Sequence, residues 1–339
     1  MTSTSLPRPA SGAPAAPGGP AAPGTTTRVL RALAIASCVP YLGLKAAWLT
    51  GSRIGIPEGS VLLERPELVA VANGVTVLMD AAVIVLALLF TQRWGMGVRA
   101  WLLAFPMWVA TGLLVPIMVG YPVQLLAGLL ADGEQLASRP SEPFLDPWVF
   151  TVVYGGFIVQ GLTLGALFAR YARVRWGRLW QGSVGDLSPA VSGRGVRAVA
   201  LVASLALLVP AALHLAWALG MTAGLTSARV GERTADFHAL ELARTLYAAV
   251  AVAGVAALLF RRARPLRAKL PVKVPLALAW VGSAAVGCWG GWLLLTAMTP
   301  VSDPAKEPST LLTLTYAGEM ITGMALAGCV AVFLRRRAG

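Results

Sequence analysis

The chain has 339 residues, a formal net charge of +13, and is 57% hydrophobic with only 13% charged residues. A soluble domain carries about a quarter charged residues, so this much apolar surface must face lipid, and a soluble globular fold is excluded. The positive charge is gathered in short connections between apolar runs. That is a topology signal, and it excludes nucleic acid as a partner, since a DNA-binding domain needs a basic stripe on a folded soluble face.

Residues 1–27 are polar and rich in Pro, Ala and Gly. They lack the early apolar core of a cleavable signal peptide and read as a disordered cytoplasmic tail. A membrane helix needs roughly 20 apolar residues. Eight runs qualify, at 29–50, 68–91, 98–120, 147–170, 196–220, 237–260, 274–298 and 310–334. Pro106 and Pro116 interrupt the third run and Pro122 follows it, so a kink or an interfacial segment through Leu130 is expected there. The connection 171–195 begins with a Trp/Arg-rich stretch, Trp176 to Trp180, suited to the membrane interface.

Two stretches about 170 residues apart say nearly the same thing. Val39-Pro40 leads through Leu44-Lys45 to Trp48 and Gly51, and Val209-Pro210 leads through Leu213-His214 to Trp217 and Gly220. Tyr154, Gly156, Gly161 and Leu164 recur as Tyr316, Gly318, Gly323 and Leu326. The reading is an all-α membrane protein of eight transmembrane helices, a tandem 4+4 repeat over 28–170 and 196–339. Four spans per repeat is an even number, so the halves insert in parallel about an axis along the membrane normal. The tail with the first turn of the first run, the connections 92–99, 170–197 and 261–273 and the C-terminus hold 20 of the 28 Lys and Arg, while the other connections hold 11 of the 15 acids. Both termini are therefore expected in the cytoplasm, and the protein in the cytoplasmic membrane.

Seven ionisable residues remain inside the runs: Lys45, Asp80, His214, His238, Glu241, Arg244 and Glu319. A central charge costs about 2.5–3.5 kcal/mol on translocon scales, so each needs a partner or a purpose. At 1.5 Å per residue all seven lie in the middle or outer half, which points to a pocket biased toward the outer leaflet. Lys45 and His214 occupy the same repeat position. Asn73, Thr76 and Asp80 form one stripe of the second run, and Asp80, too short to snorkel, is expected to pair with Lys45 or stay protonated. Glu241 and Arg244, spaced i, i+3, suit an intrahelical ion pair. The acids themselves are not repeated: Asp80 aligns with Val250, Glu241 with Val71 and Glu319 with Phe157.

Eleven tryptophans are present. Trp48, Trp94, Trp148, Trp176, Trp180, Trp217 and Trp292 sit near run ends, as interfacial belts do. Trp101 and Trp108 lie a heptad apart in the third run, and Trp280 and Trp289 in the seventh, where they suit core bulk or an aromatic wall for a hydrophobic or cationic ligand. The glycines Gly282, Gly287, Gly290 and Gly291 allow close helix packing. Cys38, Cys288 and Cys329 all fall inside apolar runs, without a metal-ligand spacing. No nucleotide, serine-hydrolase, zinc-protease or dinucleotide motif occurs, and no aspartate-rich diphosphate motif. Neither a cofactor nor a metal is expected.

Many spans with intramembrane acids resemble, in general layout, the small membrane-bound terpene cyclases of actinomycetes and fungi. That resemblance implies acid-initiated cyclisation of a lipid-soluble isoprenoid, and it matches no motif residue by residue. On the residues alone, the candidate acids are Asp80, Glu319 and Glu241. The candidate substrate contacts are Lys45, Asn73, Trp108, Tyr154, His214, Arg244, Trp289 and Tyr316. A membrane enzyme, a proton-coupled transporter of a small hydrophobic or cationic solute, and a non-catalytic lipid-binding or accessory protein all fit. Membrane lipids and a lipophilic small molecule are the expected partners.

Overall fold

The computed structural model describes residues 24–64, 66–130, 145–231, 233–260, 269–299 and 307–339. Most of the expected tail, residues 1–23, lies outside them, as do parts of five connections. Among the described residues there is no strand, only an isolated bridge between Ser183 and Pro271.

Among the described residues, eight helices are long and apolar enough to cross a membrane: Thr25–Leu49, Val69–Leu89, Ala100–Ala127, Pro147–Trp180, Arg194–Ala218, Ala235–Leu259, Lys273–Ala297 and Thr310–Ala338. They are called the first to eighth spans below. The first is broken into Thr25–Ala36 and Val39–Leu49. Pro40 has no N–H to offer and its ring crowds the carbonyl of Ala36, so the helix restarts just before it. The third span absorbs Pro106, Pro116 and Pro122 within one helix, Ala100–Leu130, and no separate interfacial segment forms. The fourth helix runs on to Trp176, so its arginines Arg170, Arg173 and Arg175 ride on the helix and the connection starts later than expected.

The C-terminal ends of the first and fifth spans close in the same way. Ser52 N–H reaches Ala47 O (2.9 Å) and Gly51 N–H reaches Trp48 O (3.1 Å); Met221 N–H reaches Ala216 O (2.9 Å) and Gly220 N–H reaches Trp217 O (3.1 Å). This is the Schellman pattern, which needs a left-handed residue, here Gly51 at φ 91° and Gly220 at φ 95°. The indole of Trp48 then donates to Ile54 O (2.8 Å), and that of Trp217 to Ala223 O (2.9 Å). These two tryptophans staple their own turns. Trp217 is buried and takes no part in an interfacial belt.

The third and seventh spans cross where the halves meet. Trp108 Nε1 donates to Ser283 Oγ (3.2 Å) and Trp280 Nε1 donates to Thr111 Oγ1 (3.2 Å). The two bonds are related by one shift along the chain, so each span gives the other the same bond. Gly112 permits the approach, since a Cβ there would lie 2.2 Å from Ala284 O. Trp101, a heptad from Trp108, is 61% exposed and points away. In the second half the spans pack through small residues, with Gly282 against Ala251 and Gly323 against Gly287. Apolar helices in lipid gain by such close backbone contact, since burial from water contributes nothing between them. The first and second spans are the least enclosed of the eight, and the seventh is the most enclosed.

Candidate functional site

The ionisable residues gather in two clusters, one in each half. One is built by the first, second and fourth spans around Lys45, the other by the fifth, sixth and eighth around His214.

In the first half, Lys45 is 1% exposed and does not reach the headgroups. Its ammonium donates to Asn73 Oδ1 (3.3 Å) and to the Thr76 hydroxyl, and stands 4.0 Å from the centre of the Tyr41 ring. Thr76 keeps its own proton for Ala72 O (2.8 Å), so its oxygen is available to accept from Lys45. Asp80 does not pair with Lys45 as expected. One helical turn deeper, its Oδ1 accepts from Gln160 Nε2 (3.2 Å), and its Oδ2 has no hydrogen-bond partner. Gln160, from the fourth span, was missed by a sequence reading confined to ionisable groups. Its signal is an amide inside an apolar run, a costly group that must find a partner. Tyr154 belongs to an aromatic group with Tyr121, Phe150 and Phe157 and makes no contact with the acid.

In the second half, His214 is 1% exposed, and both of its ring nitrogens meet carboxylates. Nδ1 is hydrogen-bonded to Glu241 from the sixth span, and Nε2 lies 3.0 Å from Glu319 Oε1 from the eighth. Arg244 does not pair with Glu241 along its own helix. It turns to Glu319, with its NH2 3.8 Å from Oε2, and lies 3.4 Å from His214 Nε2 and over the Tyr316 ring at 5.1 Å. His238 stands apart, its Nδ1 against the carbonyls of Trp217 and Ala218 (3.2 and 3.0 Å), where it closes the end of the fifth span.

The structure therefore brings together His214, Glu241, Arg244, Glu319 and Tyr316, and separately Lys45, Asn73 and Asp80. Among the described residues, Asp80 and Glu319 share no hydrogen-bond or ion-pair partner, so the single shared pocket expected from the sequence is replaced by two sites. Trp108 serves the seam between halves. Trp289 lines a void of about 10 Å³ together with Arg244, Tyr247 and Glu319. That is room for about one water. Arg244 and Glu319, which both line the void, carry the two buried atoms of the cluster without a hydrogen bond, NH2 and Oε2. The carboxylates of Glu241 and Glu319 sit at opposite edges of the imidazole, and among the described residues no three His, Cys, Asp or Glu converge as metal donors.

The charges of the second cluster close on themselves. The Arg244 guanidinium balances one carboxylate, and the other shares one proton with the imidazole. The sum is neutral whether that proton sits on the ring or on a carboxyl. Its loss leaves a net negative charge in a low-dielectric interior, which is expensive. Comparison with protein families, with curated proteins and with solved structures finds no match for this chain.

Proposed function

We propose that this chain is a proton-coupled carrier for a small lipophilic or cationic solute, built from two like-oriented four-span halves with both termini in the cytoplasm. The matching Schellman turns and the exchanged Trp108–Ser283 and Trp280–Thr111 bonds support the repeat, and the arginine-rich connections support the orientation.

The observation that carries the reading is His214 held between Glu241 and Glu319 with Arg244 beside them. The cluster spans three helices and stays neutral with one proton. Deprotonation favours an arrangement in which water reaches the carboxylates, because a bare charge is cheaper there. Proton binding and helix arrangement are then linked, and a carrier needs that linkage. The acid-catalysed isoprenoid reading has less support. A ligand pocket is typically 300–1,000 Å³, whereas the void beside Glu319 is about 10 Å³.

The test is flux into proteoliposomes under an imposed pH gradient, with tetraphenylphosphonium and ethidium as lipophilic cation probes. The wild-type chain should move at least one of them in response to the gradient, and Glu319→Gln should lower that flux at least tenfold. Flux indifferent both to the gradient and to Glu319→Gln would refute the carrier. Conversion of an added polyprenyl substrate, abolished by Glu319→Gln, would reinstate the enzyme.

A further inference from the structure

At the arginine-rich end of the bundle the chain between the halves folds over the eighth span. Residues 177–193 form three short 3-10 turns. They are pinned to the approach of the seventh span by Val184 N–H to Leu270 O (2.9 Å) and Val272 N–H to Gly182 O (3.1 Å). Val184, Leu187 and Val191 are buried beneath. This stretch is a folded cover on the second half. Between this cover and the last turn of the eighth span lies an open cleft of about 450 Å³.

Three guanidinium groups line the cleft: Arg178 from the connection, and Arg336 and Arg337 from the eighth span. Arg337 is anchored by a bond to Gln181 O (2.5 Å). Arg336 lies against Gly193, where a Cβ would come within 2.5 Å of its NH1, so the absence of a side chain lets it turn toward the cover. Asp186 also lines the cleft, but its Oδ2 is already engaged by the Ser183 N–H (3.0 Å) and Ser183 Oγ (2.7 Å). Leu187 and Val191 supply apolar wall and Ser188 a hydroxyl.

We propose that this cleft binds the phosphate headgroup of an anionic phospholipid. Like charges gathered in one cleft repel, and a phosphate relieves that repulsion while accepting the planar, two-pronged bonds that guanidinium offers. The apolar wall and the position at the ends of the fourth and eighth spans match a molecule that is charged at one end and greasy at the other. Basic pockets at helix ends recognise acidic headgroups in this way. The ligand would bridge the halves, since Arg178 follows the fourth span and the other two arginines end the eighth. The site shares no residue with the His214 cluster and does not depend on the carrier reading.

The experiment uses the purified, delipidated full chain titrated with phosphatidylglycerol, with phosphatidylcholine and with inorganic phosphate, bound ligand being read by native mass spectrometry. Phosphatidylglycerol should bind at least tenfold more tightly than phosphatidylcholine. Arg178→Gln/Arg336→Gln/Arg337→Gln should remove that preference, and Arg99→Gln/Arg173→Gln, which alters two exposed arginines outside the cleft, should retain it. Gly193→Val keeps all three charges but displaces the Arg336 guanidinium, and should weaken phosphatidylglycerol severalfold in a folded protein. An unchanged preference in the triple variant, or equal loss in the Arg99/Arg173 control, would overturn the site. Inorganic phosphate binding as tightly as the lipid would overturn its assignment to a headgroup.

Discussion

The two buried clusters occupy the same place in their halves and do opposite things with charge. In the first half Lys45 is held by neutral oxygens from Asn73 and Thr76, and the nearby acid Asp80 rests on an amide. In the second half a titratable ring, His214, is held by two acids, and a guanidinium makes up the balance. The lysine rests on neutral acceptors of one neighbouring helix, whereas the histidine is held between carboxylates of two others.

The largest expected effect tests whether the second cluster is a closed charge system. Arg244→Met removes the cation and strands Glu319 among apolar neighbours. Breaking a buried ion pair by removing one partner costs about 3–5 kcal/mol, so the detergent-solubilised variant should lose most of its thermal stability. Arg244→Met/Glu319→Gln removes both charges and should recover much of that loss. If the single and double variants melt alike, the ion pair contributes nothing, and the contrast between halves fails at its strongest point.

Lys45→Met is the matching test in the first half. It removes hydrogen bonds to two neutral oxygens and leaves no opposite charge in contact, so it should cost only about 1–3 kcal/mol, the penalty for unsatisfied buried polar atoms. Melting in parallel with Arg244→Met measures the asymmetry directly. A lysine variant as damaged as the arginine variant would show that Asp80 depends on Lys45 across a longer gap, and that both halves are charge-balanced.

Much of this was legible in the sequence, and what was not has a physical reason. Length and apolarity set the eight spans, because hydrocarbon thickness leaves little choice. The match of Trp48 and Gly51 to Trp217 and Gly220 was visible as a recurring pattern, and the structure gives its reason, a Schellman closure that needs the glycine. Hydropathy does not fix helix rotation, so the partners of the buried charges could not be read. Arg244 lies one turn from Glu241 and suited an intrahelical pair, yet the fifth span brings His214 to Glu241 and the eighth brings Glu319 to Arg244. Asp80 was matched to Lys45 by charge alone. The neutral amide of Gln160 was overlooked because uncharged groups raise no alarm in a count of acids and bases. Trp101 and Trp108 share a heptad position, but the crossing with the seventh span takes only one of them.

The seam between the halves offers a finer comparison, because there the two sides are chemically alike. Trp108→Phe and Trp280→Phe each delete one bond of the exchanged pair while keeping the aromatic bulk. Each should cost about 0.5–1.5 kcal/mol, and the two costs should agree within error in thermal melts. Unequal costs would mean that the halves differ at the seam as well as in their clusters.

The smallest effect lies at the arginine-rich end, where each half has its own clamp. In the first half, Tyr171 donates to Gly95 O (2.8 Å), and Arg175 bonds Tyr171 and Val98 O (2.5 Å each). That clamp involves no carboxylate. In the second half, Asp186 accepts from the Ser183 hydroxyl and N–H, and these bonds hold its carboxyl below the ordinary value of 3.8. A carboxyl depressed in the folded state contributes its stability above the unfolded value, near 4, and that contribution is lost as pH falls through the folded value. Hydrogen exchange of residues 182–187 should therefore speed up as pH drops below about 4, after correction for intrinsic rates, while residues 93–98 keep their protection. Asp186→Asn should show the faster exchange already at neutral pH and lose the pH dependence. If both clamps loosen together on acidification, the cause is general to the bundle, and Asp186 is not what separates the two ends.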